Sequence, residues 1–313
     1  MNQPVGVLRL VDPFRAGDAW VPVAPPGYRV AVEQVCWPPR ASDVTRVAAS
    51  AARERARIVH AHGKWAHLLA VPAARMVRAK AVCTRGRDAN GLGESLALRA
   101  ADAVLCWSQR DRDRCVHREG ILAAKVCVVH PGVDLARFPP RSPDATPLVV
   151  AVGGLFARNG LVELLEAVVR MRKSVPELRV VCAGEGPLRP LLEQRIPFLG
   201  LRSSVQLAGQ VADVPALLAR AHAAWTPGLF GTVEAMAAGV PVASPWRVLT
   251  EAEIAVGRHD PVALADRLLA LLQDRKVGAA LRKRAEKELS LEAFRERLRT
   301  LYDALLAPRE AAA

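Results

Sequence analysis

The stretch RIVHAHGKWAHLLAVPAAR, residues 57–75, decides the fold class. A short apolar run, IVH, is followed from about Lys64 by apolar residues at helical spacing. The same change of period recurs at AVC (81–83), before a helix through LALRA, and at AVLCW (103–107), before a helix for which Ser108 is a suitable N-cap. Strands that alternate with helices in this way predict βαβ units and a parallel sheet.

A second series of the same kind begins at LVVAVGG, residues 148–154. It continues through LRVVCAG, SVQLAG and AAW, each followed by a helical pattern, and ends in a further apolar run, VPVAS. Between the two series, residues 131–147 hold five prolines, which neither helices nor strands accommodate well. We therefore predict an α/β protein of two doubly wound, Rossmann-like domains, over residues 1–140 and 141–313.

Two regions depart from this alternation. After the first predicted strand, VGVLRLV (5–11), residues 12–29 hold four prolines and show no helical period, so we expect the first helix to be missing or reduced. From Asp260 onward the pattern is helical in three amphipathic segments. Their apolar stripes either close the second domain or reach back across the first.

Composition and charge narrow the classes of partner. The 313 residues are 51% hydrophobic and 4% aromatic, and their net charge is +13, of which +9 lies on residues 1–144. A basic excess attracts phosphate-bearing small molecules, an anionic membrane face or nucleic acid. Neither an aromatic stacking platform nor a basic helix is evident, so we do not expect a nucleic-acid partner.

Three further features of the sequence bear on location. No apolar stretch approaches the ~20 residues of a membrane span, and the N-terminal residues lack a signal-peptide pattern. The six dispersed cysteines fit buried reduced thiols better than disulfides or zinc. We expect a cytoplasmic protein, and peripheral contact with an anionic membrane on the cytoplasmic face is a further hypothesis.

Candidate ligand residues lie where predicted strands end, because ligands of doubly wound sheets bind beyond the carboxyl ends of the strands. GGLFARNG (153–160) is such a junction: its glycines permit close backbone approach, and Arg158 suits a phosphate. An ordinary turn with a solvated arginine explains it equally well. Gly184-Glu185-Gly186-Pro187 is a second junction, with a plain tight turn as its alternative. Glu234 suits ribose hydroxyls, or simply complements a helix dipole.

In the first domain, the pair His60 and His62, with His67 nearby, raises the question of a metal site. No third strong ligand follows from the spacing, so we predict no metal and expect one histidine to face the ligand. Arg85 in TRGRD follows another strand end, where a solvated loop is the alternative. The chain contains no nucleophile elbow, phosphate-binding P-loop or dinucleotide fingerprint, which disfavours hydrolases, NTPases and dehydrogenases.

Taken in order, these motifs resemble those of the GT-B glycosyltransferases of family four. In the first domain the likeness is carried by RIVHAHGKWAHLLAVPAAR, TRGRD, ADAVLCWS and KVCVVHPGVDLARF, in which Pro131-Gly132-Val133-Asp134 is a specific match. In the second domain AVGGLFARNGLVELLEAV, LRVVCAGEGPLRPLLE and EAMAAGVPVAS follow in the family's order.

The resemblance implies a GT-B fold whose two domains face a cleft, the N-terminal one on the acceptor side and the C-terminal one binding the nucleotide sugar. It implies a retaining glycosyltransferase of glycolipid or polysaccharide synthesis, which moves a sugar from a nucleotide-diphosphate donor to an acceptor hydroxyl. It implies no metal and no cofactor besides this substrate. Carried over residue by residue, it gives His62 and Arg85 as catalytic residues on the acceptor side, and as donor-binding residues Gly153, Gly154, Arg158, Asn159, Glu185 and Glu234.

The chain departs from the family pattern around the donor. Gly154 and Asn159 stand where the diphosphate loop has Arg and Lys, and Thr226 stands where the first of two acids is expected, eight residues before Glu234. A charge-assisted hydrogen bond contributes ~1.5–3 kcal/mol, so these losses are chemically serious. Either other arginines, such as Arg158, Arg247 or Arg258, restore the charge, or the protein is a catalytically impaired relative that binds a partner protein or a carbohydrate.

Overall fold

The structure is a computed structural model that describes residues 4–12, 23–36, 38–86, 92–244, 254–255 and 260–308. By its internal contacts the chain divides into two compact units. Unit 1 comprises Met1–Gly132 and Leu291–Ala313, and unit 2 comprises Val133–Ser290. The predicted boundary lies at 140/141, whereas the chain passes from unit 1 to unit 2 after Gly132, eight residues earlier. From Leu291 onward the chain belongs to unit 1 again.

Unit 1 contains a six-stranded parallel sheet in the order β2-β1-β3-β4-β5-β6. Its strands are β1 Val5–Val11, β2 Tyr28–Gln34, β3 Ala56–His62, β4 Lys80–Arg85, β5 Ala103–Cys106 and β6 Val126–Val128. The helices between them are α1 Asp43–Arg53, α2 Lys64–Met76, α3 Leu92–Ala100 and α4 Gln109–His117. Ser108 caps α4 as predicted, because its Oγ accepts a hydrogen bond from the Asp111 N–H at 3.2 Å.

Unit 2 contains a second six-stranded parallel sheet in the order β12-β11-β10-β7-β8-β9. Its strands are β7 Leu148–Val152, β8 Arg179–Ala183, β9 Val205–Gly209, β10 Ala223–Trp225, β11 Val242–Ser244 and β12 Ile254–Ala255. Its helices are α5 Leu161–Met171, α6 Arg189–Phe198, α7 Val214–Ala219, α8 Leu229–Ala237, α9 Pro261–Gln273 and α10 Arg275–Glu288. The strand order reverses between β7 and β10, which is where doubly wound sheets bind ligands.

Helices cover both faces of each sheet, as the buried parallel strands require. In β7, Val149 and Ala151 pack into the core formed with α5, α6 and α9. The alternate residues Val150 and Val152 pack into a second core with α8 and α10. The GT-B expectation of two doubly wound α/β domains is therefore confirmed.

The last helix, α11 (Leu291–Leu306), belongs to unit 1. Its residues Phe294, Leu298 and Tyr302 are buried. Since α9 and α10 pack within unit 2, the C-terminal helices do both things that the sequence left open: two complete the second unit, and one returns to the first.

Residues 131–147 form no strand or α-helix, only a short 3₁₀ turn over Leu135–Arg137, as the prolines predict. The expectation that the first helix is missing or reduced concerns mainly residues 13–22, which lie outside the described ranges. Of the six cysteines expected to be buried thiols, Cys83, Cys106, Cys115 and Cys182 are buried and free, whereas Cys127 is half-buried and Cys36 is exposed. Among the helices that the structure describes, none has the length and apolarity needed to cross a membrane.

Candidate functional site

A pocket of about 610 Å³ lies in unit 2 at the carboxyl ends of β7, β8 and β9. It is lined by Val152, Gly153, Gly154, Ala183, Gly184, Glu185, Gln210, Val211, Ala212 and Val214. Three of the predicted donor residues, Gly153, Gly154 and Glu185, therefore meet in one cavity. Five of these ten residues are glycine or alanine, which suits a ligand held by backbone N–H groups.

Backbone hydrogen bonds join the loops that form this pocket. The Leu155 N–H donates to the Glu185 carbonyl, and the Leu188 N–H donates to the Leu155 carbonyl, both at 2.9 Å. Gly184 passes so close to the first loop that a Cβ there would lie 2.1 Å from the Gly153 carbonyl oxygen. Its φ of +151° is also one that other residues rarely adopt, so this crossing requires glycine.

The two positions at which the family carries cations shape the loop instead. Asn159 is buried, and its side-chain Nδ2 donates to the Gly154 carbonyl at 2.6 Å. The backbone carbonyl of Asn159 accepts a hydrogen bond from Trp225 Nε1 at 3.3 Å. A Cβ on Gly154 would lie 2.4 Å from the Phe156 ring. The amide of Asn159 thus holds the loop closed, and the ring of Phe156 covers the place of a longer side chain at 154.

Positive charge is nevertheless present on this loop. The exposed guanidinium of Arg158 lies 4.7 Å from the centroid of the Phe156 ring, a cation–π distance. Phe156 itself lies against Gly154, which lines the pocket, whereas Arg158 is not among the lining residues. Glu185, which lines the pocket, pairs with Arg189 at 2.6 Å.

Glu234 lies on α8 and is not among the residues that line the pocket. One turn earlier, a Cβ on Gly231 would lie 3.0 Å from the Val152 carbonyl, so the start of α8 packs against the end of β7. Glu234 is therefore about one helical turn, roughly 5 Å, from the carboxyl edge of the sheet. Burial raises the pKa of Glu234, and the charge of Arg137 acts in the opposite direction.

Thr226, at the position of the missing acid, is fully buried. Its hydroxyl lies 2.8 Å from the Thr232 hydroxyl, which donates to the Gly228 carbonyl at 3.0 Å. The two threonines therefore fasten the first turn of α8 to the end of β10. A carboxylate at 226 would be buried among these groups.

We expect Glu234→Gln to change the pH dependence of stability in a defined direction. The folded state holds the Glu234 proton more tightly than the unfolded chain, so in the wild type the free energy of unfolding falls as pH rises from the ordinary Glu range through the raised pKa. The variant lacks this loss and should have the higher urea midpoint at about pH 7.5, but not at about pH 4. The exposed control Glu177→Gln should show no such difference between the two pH values. If the urea midpoints of both variants changed with pH in the same way, burial would not raise the pKa of Glu234.

In unit 1, the predicted residue His62 is buried at the carboxyl end of β3. Its ring centroid lies 4.2 Å from that of His60. His60 Nδ1 lies 2.7 Å from the Tyr302 hydroxyl and Nε2 lies 2.7 Å from the Thr84 hydroxyl. Burial, then the charges of Arg9 and His67, lower the pKa of His60 well below its usual range, so this ring is neutral.

Beside these histidines lies a buried polar cluster that the sequence reasoning did not identify. His67 Nε2 lies 2.9 Å from the Thr84 carbonyl, which can only accept, so this nitrogen carries a proton. Its Nδ1 lies 3.1 Å from Glu94 Oε1. Asp12 accepts hydrogen bonds from the Ala66 and Trp65 N–H groups at the start of α2. The one available signal was His67 itself, because Asp12 and Glu94 lie far from it in sequence.

Arg85, the second predicted catalytic residue, is fully buried at the end of β4. Its guanidinium donates to both carboxylate oxygens of Glu119, through Nε at 3.1 Å and through the second terminal nitrogen, and it also donates to the Gly86 carbonyl at 2.9 Å. Much of its charge is thus balanced inside unit 1. Within the described ranges no group of three potential metal ligands is found. Arg247 and Arg258, considered as replacement cations, lie outside the described residues.

The chain matches two families in succession. Residues 13–137 match Glycosyltransferase Family 4, and residues 146–274 match Glycosyl transferases group 1. The solved structure of the Anabaena protein Alr3699/HepE in complex with UDP-glucose is similar, with a TM-score of 0.78, 17% identity, and coverage of 96% of this chain and 99% of that one. At this identity the likeness concerns the fold.

Curated relatives are similar over parts of their length. A glycogen synthase of Mycobacterium tuberculosis is 31% identical over 67% of this chain and 53% of its own. The phosphatidylinositol N-acetylglucosaminyltransferase gpi3 subunit of Schizosaccharomyces pombe is 26% identical over 80% of this chain and 59% of its own. The chain thus spans little more than half the length of these relatives.

Proposed function

Because the chain belongs to the glycosyltransferases of group 1 and family 4, we propose that it is a retaining glycosyltransferase. It moves a sugar from a nucleotide-diphosphate donor to a hydroxyl of a glycolipid or polysaccharide acceptor. The observation that carries this proposal is the pocket at the carboxyl ends of β7, β8 and β9, which is walled by Gly153, Gly154 and Gly184. The binding of UDP-glucose by a protein of similar fold supports a nucleotide sugar as the ligand.

In this proposal the donor diphosphate lies against the loop of Gly153 and Gly154. Charge that develops on the diphosphate as the sugar leaves is stabilised by backbone N–H groups and by the guanidinium of Arg158. Asn159 keeps the loop in shape through its hydrogen bond to Gly154, and Glu234 accepts hydrogen bonds from the ribose. Catalysis then rests on positioning and electrostatics, with no metal and no cofactor.

His62 and Arg85 are assigned to the acceptor side, where β3 and β4 end. Arg85 donates to Glu119 and to the Gly86 carbonyl, so its role in this proposal is to hold the end of β4 in place rather than to provide a mobile charge. The names of the two relatives favour a polysaccharide or a lipid-linked acceptor. We further propose a cytoplasmic location with peripheral contact to an anionic membrane, and no nucleic-acid partner.

The first experiment is a calorimetric titration with UDP, GDP and ADP, with and without magnesium. We expect one nucleotide to bind at micromolar affinity independently of magnesium, which would name the donor class for turnover assays. Glu234→Ala should weaken this binding at least tenfold, about 1.4 kcal/mol, because the ribose loses its acceptor. The matched control, the exposed Glu177→Ala, should bind as the wild type does.

A folded protein that bound none of the three nucleotides would favour the alternative from the sequence, a catalytically impaired relative that binds a partner or a carbohydrate. An intact fold with unchanged affinity in Glu234→Ala would remove Glu234 from the donor site. The family membership favours transfer over this alternative.

A further inference from the structure

The amino edge of the unit 1 sheet, where its strands begin, is strongly basic. We define this edge by the segments 25–30, 52–57, 74–80, 99–103 and 118–126, which lead into β2 to β6. It carries ten cations: Arg29, Arg53, Arg55, Arg57, Arg75, Arg78, Lys80, Arg99, Arg118 and Lys125. It carries three acids: Glu54, Asp102 and Glu119. The predicted excess charge of the first half is therefore concentrated on one edge.

The acids of this edge are already engaged. Glu54 pairs with Arg29 at 2.7 Å, Asp102 lies 3.5 Å from Lys80, and Glu119 pairs with the buried Arg85. Among the residues that the structure describes, by contrast, Arg55, Arg78 and Arg118 have no carboxylate within ion-pair distance, and all three side chains are exposed. The edge thus presents cations to an outside partner.

Two of these arginines occupy positions that favour glycine. Arg55 follows the end of α1 with a φ of +48°, and Arg78 follows the end of α2 with a φ of +58°. Glycine is usual at this position because a side chain strains a left-handed backbone. An arginine at each of these equivalent sites therefore lowers stability relative to glycine.

Large apolar side chains stand among the cations. Met76 is 59% exposed at the end of α2, and Leu122 is 68% exposed before β6. Hydrogen bonds join these segments: Arg75 donates to the Ala100 carbonyl at 3.3 Å, and Lys125 donates to the Ala101 carbonyl at 2.9 Å. Cations and apolar side chains therefore share one continuous edge.

We propose that this amino edge docks on an anionic phospholipid bilayer. Phosphate headgroups complement the cations, and Met76 and Leu122 enter the interface between headgroups and acyl chains. A nucleic acid fits less well, because the edge carries no exposed aromatic side chain on which bases would stack. The inference rests on the membrane contact of the proposed function and gives it a location, but it does not depend on the transfer reaction.

The test is sedimentation with vesicles of phosphatidylcholine alone or mixed in equal parts with phosphatidylglycerol, at low and high salt. We expect binding to the anionic vesicles only, weakened by salt. Arg55→Gly with Arg78→Gly should reduce the partition coefficient about 30-fold, from the loss of two cations at the surface. Since glycine relieves the strain, the same variant should unfold at an equal or higher urea concentration.

A matched control removes two exposed cations from α10, as Lys283→Ala with Lys287→Ala, and should keep at least half of the binding. Met76→Ser with Leu122→Ser should weaken binding without altering its salt dependence. Nucleotide titration should be unchanged in all these variants, so a failed donor site and a failed membrane site are distinguishable. Absence of vesicle binding by the wild type, an equal loss in the α10 control, or preferential binding to duplex DNA would each overturn the proposal.

Discussion

Tyr302→Ala is expected to lower the free energy of unfolding by about 4 kcal/mol or more. The side chain is fully buried, and its hydroxyl lies 2.7 Å from His60 Nδ1. Its ring also packs edge-on against Tyr28, whose hydroxyl donates to Asp303 of the same helix at 2.5 Å. Removal of the ring opens a cavity and leaves the buried His60 nitrogen without its partner. Since a whole domain is stable by about 5–15 kcal/mol, unit 1 is close to unfolding in this variant.

The measurement is urea unfolding followed by circular dichroism, with two comparison variants. Tyr302→Phe keeps the ring and loses only the hydroxyl, so it should cost about 1–3 kcal/mol. Arg299→Ala, on the exposed side of α11, removes an ion pair with Glu296 and should cost less than about 0.5 kcal/mol. A Tyr302→Ala midpoint no lower than that of Arg299→Ala would show that α11 does not stabilise unit 1.

For α11, the sequence predicted the helix but not its packing partners. Its amphipathic pattern predicted a helix, and the structure has one over Leu291–Leu306. Its place against β3 did not follow, because Tyr302 and His60 are 242 residues apart. The second face of the unit 1 sheet carries the buried polar side chains of Arg9, His60 and Thr84 among its apolar residues. Periodicity identifies apolar faces, so it gave no reason to seek a buried polar partner for this one.

Strand β2 and the partner of Arg85 were likewise not predictable from the sequence. Strand β2, YRVAVEQ, follows a proline-rich stretch, and the prolines obscured its alternation. Arg85 was placed correctly at a strand end, but its partner Glu119 follows α4, 34 residues later. By contrast, the position of the loop glycines between a strand and a helix was predictable from the sequence, although an ordinary turn explained them equally well. Their placement in one pocket followed from the parallel order of β7 and β8.

The second large effect is expected for Gly184→Ala, which places a methyl group between the two loops of the pocket. The new Cβ would lie 2.1 Å from the Gly153 carbonyl oxygen and 2.8 Å from its carbonyl carbon. These are backbone atoms, so the contact cannot be relieved by turning a side chain. The flanking hydrogen bonds, from Gly184 N–H to the Gly209 carbonyl and from Leu155 N–H to the Glu185 carbonyl, oppose separation of the loops.

Overpacking and the unfavourable φ together should lower the free energy of unfolding by about 4 kcal/mol. Any folded fraction has a displaced Gly153 and Gly154 loop, so its nucleotide affinity should fall at least tenfold, since donor binding depends on close backbone approach. Calorimetry on folded protein, with urea midpoints measured in parallel, separates the two effects.

Gly200→Ala is the matched control, because it isolates backbone strain from steric contact. Gly200 has a φ of +67°, but a Cβ there would meet no atom within 4 Å. This variant should cost only about 1–2 kcal/mol and leave nucleotide affinity unchanged. If the two alanine variants lost stability equally and bound nucleotide alike, the crossing of the loops at Gly184 would not govern the pocket. If only Gly184→Ala lost affinity, the donor would be placed against the loop of Gly153 and Gly154, because that is the backbone the new methyl group displaces.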